Sequence, residues 1–73
     1  MTRLKKEYRD ILGRNIKKFR LDVGYSREYF AEVMDVSSRT VSYWEDGIYS
    51  PTLEKFVWIC SELGRNPDEL LLR

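Results

Sequence analysis

Few side chains in this sequence are equipped for chemistry. It contains no histidine and one cysteine, Cys60. That removes the common zinc ligand sets, the most frequent general base and any internal disulfide. There is no glycine-rich phosphate loop and no nucleophile at workable spacing from a base, so the pattern argues against an enzyme and asks for no metal or cofactor. What stands out is residues 26–45, SREYFAEVMDVSSRTVSYWE, where Ser38, Arg39, Ser42 and Tyr43 gather a planar donor fork, two small hydroxyls and a phenol. These groups recognise a partner by hydrogen bonding rather than transform it.

The same stretch contains the elements that must position them. Ser26 is an N-cap for a helix over residues 27–34 that carries Phe30, Ala31 and Met34 on one face, and Ser37 is an N-cap for a second over 38–45 that carries Val41 and Trp44. About two residues, Asp35 and Val36, join them. Helices linked this closely cross steeply, so the first supports the second and leaves the side bearing Ser38, Arg39, Ser42 and Tyr43 open.

Around this pair the pattern predicts three more helices. Tyr8, Leu12, Ile16, Phe19 and Val23 form the apolar stripe of a helix over 8–23, with Gly24 as a left-handed cap. Residues 2–7 either extend that helix or form a basic arm. Gly47 and Pro51 bracket a loop, and Thr52 caps a helix over 53–63 whose stripe is Leu53, Phe56, Ile59, Cys60 and Leu63. Asn66, Pro67 and Glu69 open a short helix over 67–71 with a capping-box pattern. The expected fold is an all-α, compact five-helix bundle making one domain over residues 1–73, with no strand and no repeat.

Seventy-three residues bury only a modest core and leave no room for a large cleft. The absence of a long apolar run or a signal-peptide pattern, with a lone cysteine, points to the cytoplasm and away from membranes. Net charge is +1, but it is unevenly spread. Residues 1–20 hold eight Lys or Arg against Glu7 and Asp10, whereas residues 45–73 hold Lys55, Arg65 and Arg73 against six acids. A molecule with a basic end and an acidic end would be oriented on a polyanion.

Arg20, Ser26, Ala31, Val36, Ser37, Thr40, Val41, Ser42, Trp44, Glu45, Gly47, Pro51 and the stripe of the fourth helix together resemble the Cro and phage-repressor (lambda-repressor-like) type of helix-turn-helix domain over about residues 12–71. The resemblance implies that the third helix lies in the DNA major groove with the second crossing the backbone above it. It carries base contacts over to Ser37, Ser38, Arg39 and Tyr43. The chemistry agrees: an arginine fork pairs with guanine O6 and N7, serine reaches bases or phosphates, and tyrosine reaches a thymine methyl or a phosphate. Ser26 and Arg27, at the N-terminus of the second helix, are expected at phosphate, with Ser42 beside them. Lys5, Lys6, Arg14 and Lys17 of the basic first helix are further candidates, against the alternative of a solvated face. Arg20 and Glu45 match a family salt bridge, read here as a structural strut.

Three positions depart from the family pattern. Arg27 stands where glutamine usually bridges phosphate and the recognition helix, which puts a bridge to Ser38 in doubt. Asp35 stands where the turn commonly has glycine, and Asp46 is an acid near the expected phosphates, so it should point away. Off the apolar stripes lie Ile48, Tyr49, Val57 and Trp58, which are either partly buried or a dimer interface. The functional expectation is a sequence-specific double-stranded DNA-binding transcriptional regulator, a repressor acting as a homodimer on a two-fold operator. The alternative is a protein-interaction module, such as an antitoxin that binds a toxin partner as well as or instead of DNA.

Overall fold

The computed structural model describes residues 4–72 and has five helices among them: α1 (Lys6–Asp22), α2 (Arg27–Val33), α3 (Ser38–Glu45), α4 (Leu53–Leu63) and α5 (Pro67–Leu71). The described residues contain no strand. The expected bundle is present, with α2 one residue shorter than its pattern predicted. α1 begins two residues before Tyr8, and its N-cap Lys5 is extended. The rest of the question about residues 2–7, for residues 2 and 3, lies outside the described residues.

Local chemistry starts and stops these helices. The hydroxyls of Ser26, Ser37 and Thr52 each accept a hydrogen bond from the backbone N–H three residues on, at 3.0, 3.1 and 3.2 Å, satisfying a donor that the helix itself cannot. The Glu69 carboxylate accepts from the Asn66 N–H at 3.0 Å and so closes the start of α5. Helices α1 to α4 all end in a six-to-one bond, in which the N–H of Tyr25, Val36, Ile48 or Arg65 reaches the carbonyl five residues back. Each such ending needs a left-handed residue. At Asp35 that residue is not glycine, and its φ is +57°. Aspartate is among the few side chains that tolerate this region at modest cost.

All five helices contribute to one core made of Leu12, Ile16, Phe19, Phe30, Ala31, Met34, Val41, Trp44, Ile59, Cys60, Leu63 and Leu70. Burial raises the Cys60 thiol pKa, so it packs as a small apolar group. Four stripe residues are not in this core, of which Phe56 packs half-buried against it. Tyr8 (47% exposed) and Val23 (41%) lie in the first turn and at the C-cap of α1, where the helix overhangs its neighbours, and Ile11 is buried in their place. Leu53 opens α4 and is 73% exposed, on the rim of an apolar groove of about 270 Å³ whose walls include Leu4, Leu12, Pro51, Phe56 and Leu71. A stripe read from spacing gives the direction of the core but not where the packing partners end.

α1 packs closely on α3 at Gly13. A β-carbon on Gly13 would lie 2.6 Å from the Glu45 carbonyl oxygen and closer still to that of Trp44. Both are backbone atoms, which cannot rotate away. Gly13→Ala should therefore destabilise the fold by about 1–3 kcal/mol through overpacking, despite the gain of about 1 kcal/mol in helix propensity. Urea unfolding would show this as a lowered midpoint; an unchanged or raised midpoint would mean that α1 and α3 separate easily. The same face is tied near its end by Arg9, whose Nε–H donates to the Gly47 carbonyl at 3.0 Å and whose Nη1 donates to that of Leu4.

Candidate nucleic-acid interface

α2 and α3 form the two-helix unit that residues 26–45 predicted. Phe30, Ala31, Met34, Val41 and Trp44 are all buried, so the inner faces are consumed by the core. The outer side of α3 begins with Ser37, Ser38 and Arg39, all exposed, followed by the half-buried Ser42 and Tyr43. Arg39 makes no hydrogen bond or ion pair among the described residues, so its whole donor fork faces solvent.

The hydroxyls differ in what they can still offer. Ser26 Oγ accepts from Tyr29 N–H and keeps its proton for an outside acceptor. Ser37 Oγ accepts from Thr40 N–H and shares a 3.0 Å contact with the Thr40 hydroxyl. Ser42 is more committed: its hydroxyl donates to the Ser38 carbonyl at 3.1 Å and accepts from Arg27 Nη1 at 3.2 Å. With its one proton engaged, Ser42 cannot donate to a phosphate in this arrangement.

Beneath α3 lies a buried ion cluster. Arg20 Nε and Nη2 donate to the two carboxylate oxygens of Glu45 at 2.7 and 3.2 Å, and Arg20 Nη1 donates to the Tyr25 carbonyl at 2.8 Å. Arg20 is 4% exposed and Glu45 7%. A bidentate pair of this kind fixes angle as well as distance. Arg27 is a third member, its Nη2 donating to Glu45 Oε1 at 3.2 Å. The bridge from Arg27 therefore runs to Ser42 and Glu45, one and two turns beyond Ser38. The Arg27 side chain keeps about 36% of its exposure, while its Nε is buried without a partner. Sequence reasoning missed this triad because 18 residues separate Arg27 from Glu45, with no local pattern linking them.

Two further residues that the sequence did not single out hold the unit in place. Lys55 of α4 donates through Nζ to the Met34 carbonyl at 2.7 Å, neutralising the end of α2 just before the Asp35 turn, and lies 4.4 Å from the centroid of the Trp58 ring. Asn15 of α1 donates to the Leu70 and Leu72 carbonyls at 2.8 and 2.9 Å and so secures α5.

Lys5 at the N-cap of α1 and Lys6, Arg14 and Lys17 on the helix are all exposed. Lys6 Nζ pairs with Asp10 at 2.9 Å, which offsets its charge. Lys6 and Lys17 stand seven residues before and four after Gly13, on the flank of α1 nearest α3. Among the candidate interface residues, Ile48 and Val57 are more than half exposed and Trp58 is 36% exposed. Tyr49 is half-buried against the core, and its ring meets that of Tyr43 edge-on. Asp46 is exposed at the C-cap of α3. No group of metal-binding side chains occurs among the described residues, and no helix there is long and apolar enough to cross a membrane.

Comparisons agree with this fold. The helix-turn-helix family model HTH_3 matches residues 16–70. No curated protein matches significantly in sequence. Among solved structures, the clp gene regulator ClgR from Corynebacterium glutamicum superposes with a TM-score of 0.81 at 30% identity, over 88% of this chain and 68% of that one. A hypothetical transcription factor from Neisseria, NHTF, gives 0.81 at 25% identity over 99% and 84%. The DNA-binding domain of BldD gives 0.81 at 22% over 94% and 100%, a likeness of fold.

Proposed function

The chain belongs to the Cro and phage-repressor type of helix-turn-helix family, and on that footing we propose that it is a transcriptional regulator that binds double-stranded DNA in a sequence-specific way. The observation that carries this reading is the exposed start of α3, with Arg39 unpaired, mounted on the buried Arg20–Glu45 pair that the partly exposed Arg27 joins. A rigid base beneath a free donor fork is what reading base edges requires.

In this reading α3 enters the major groove and presents Ser37, Ser38, Arg39 and Tyr43 to the bases. Ser26 meets a phosphate at the N-terminus of α2, with the exposed part of Arg27 beside it. Lys5, Lys6, Arg14 and Lys17 add phosphate contacts from α1, Lys6 the least because of Asp10. The protein acts as a repressor by occupying its operator and excluding polymerase. A net charge of +1 gives one copy little general attraction to DNA, so binding as a two-fold dimer supplies the needed contacts. The exposed Ile48, Val57 and Trp58 are the surface proposed for the dimer contact. Sedimentation should show Trp58→Ala associating more weakly than the parent; equal association removes Trp58 from that contact.

Selection of bound duplexes from a random pool tests the function as a whole. The expected product is a two-fold pattern whose half-sites are about 10–10.5 base pairs apart. Enrichment of no sequence would contradict specific DNA binding and favour a protein partner.

A further inference from the structure

We propose that Tyr49, in the loop after α3, is a specificity-positioning residue: it fixes the ring of Tyr43 so that Tyr43 discriminates one base pair of the half-site. This rests on the DNA-binding reading above and extends it to a residue outside the two-helix unit.

The two rings meet edge-on, with centroids 5.2 Å apart and planes at 62°, an attractive geometry for aromatic pairs. Tyr49 is itself held firmly. It is half-buried against the core, and the loop that carries it is tied down at two points. The Ile48 N–H donates to the Tyr43 carbonyl at 2.9 Å, and Arg9 from α1 donates to the Gly47 carbonyl at 3.0 Å. Gly47, at φ +72°, has the Asp10 carboxylate where a side chain would otherwise stand, so the loop is pressed onto α1. Tyr43, in contrast, lies near the end of α3, half-exposed, and makes no side-chain hydrogen bond among the described residues. Without Tyr49 its ring would sample several rotamers, and a contact to a base edge or thymine methyl depends on one.

The test is selection from a random pool with five proteins: the parent, Tyr43→Ala, Tyr49→Ala, Tyr49→Phe and the double variant Tyr43→Ala/Tyr49→Ala. Tyr43→Ala marks the base pair that Tyr43 reads. Tyr49→Ala should weaken the preference at that same base pair by about 2- to 10-fold, the worth of one edge-to-face pair, and leave the preference attributed to Arg39 intact. Tyr49→Phe keeps the ring edge and should restore the parental pattern. The double variant Tyr43→Ala/Tyr49→Ala should match Tyr43→Ala alone at that base pair, because the two residues act through one contact.

Four results overturn the proposal. An unchanged pattern for Tyr49→Ala would show that Tyr43 needs no support, and no affected base pair for Tyr43→Ala would show that there is nothing to position. Uniform weakening at all base pairs, with reduced association in sedimentation, would make Tyr49 a dimer contact instead. A parent protein that enriches nothing would fail the DNA-binding reading itself, and this proposal with it.

Discussion

Glu45→Ala should cost the protein about 3–5 kcal/mol of stability, the usual penalty for removing one partner of a buried ion pair. Arg20 would keep the Tyr25 carbonyl but lose both carboxylate bonds at 4% exposure. Arg27, about a third exposed, can turn outward and recover solvation. The loss therefore falls mainly on Arg20, and Arg27→Ala should be much milder. In a chain of this size each kcal/mol is worth roughly 4–8 °C in melting temperature. Small domains have little to spare, so much of the Glu45→Ala protein would be unfolded at room temperature. Thermal unfolding followed by circular dichroism gives the result directly. At a temperature where the variant is still folded, its base preference should be that of the parent, because Glu45 touches no base and the buried Val41 and Trp44 still hold α3 on the core. An unchanged melting temperature together with a new preference would reverse this assignment.

Arg39→Ala should leave stability alone and remove discrimination at one base pair of each half-site. Arg39 is exposed and bonds to nothing among the described residues, so no folded-state contact is lost. A bidentate arginine–guanine contact contributes about 1–3 kcal/mol of preference, and a dimer would lose it twice. Arg39→Lys separates the two roles of the side chain. It keeps the charge and hence the dependence on salt, but lacks the planar fork, so discrimination should fall nearly as far as with alanine. Fluorescence anisotropy with the selected duplex and with duplexes changed at single base pairs measures both quantities. A loss of affinity equal on every duplex would make Arg39 a phosphate contact.

Much of this molecule was legible in the sequence because its signals are local. Ser26, Ser37, Thr52 and Asn66 each stand at the N-cap position that their type favours, and the starts of α2 to α5 fell where those residues put them. The left-handed turn at Asp35 was legible only through the family resemblance, which has glycine there. The apolar stripes were less reliable at their ends, because whether Tyr8, Val23 or Leu53 is covered depends on how far neighbouring helices extend, which spacing does not encode. Contacts across the fold were the least legible. The link from Arg27 to Glu45, the Lys55 bond to the end of α2 and the close approach at Gly13 each join residues at least 18 apart in sequence. The Tyr43–Tyr49 pair was missed for a different reason: Tyr49 lies off every helical stripe, and a loop residue has no periodicity to give its direction.

The central claim is that the outer side of α3, with the start of α2, is the surface that meets DNA. Backbone amide chemical shifts, followed by nuclear magnetic resonance as a selected duplex is added, test it most directly. The account predicts that the largest changes fall at Ser26 and Arg27 and along Ser37, Ser38, Arg39 and Tyr43, with small changes at Leu63 and Leu70 in the core. Changes concentrated instead along the apolar groove at Leu53, Phe56 and Leu71, with α3 silent, would contradict it.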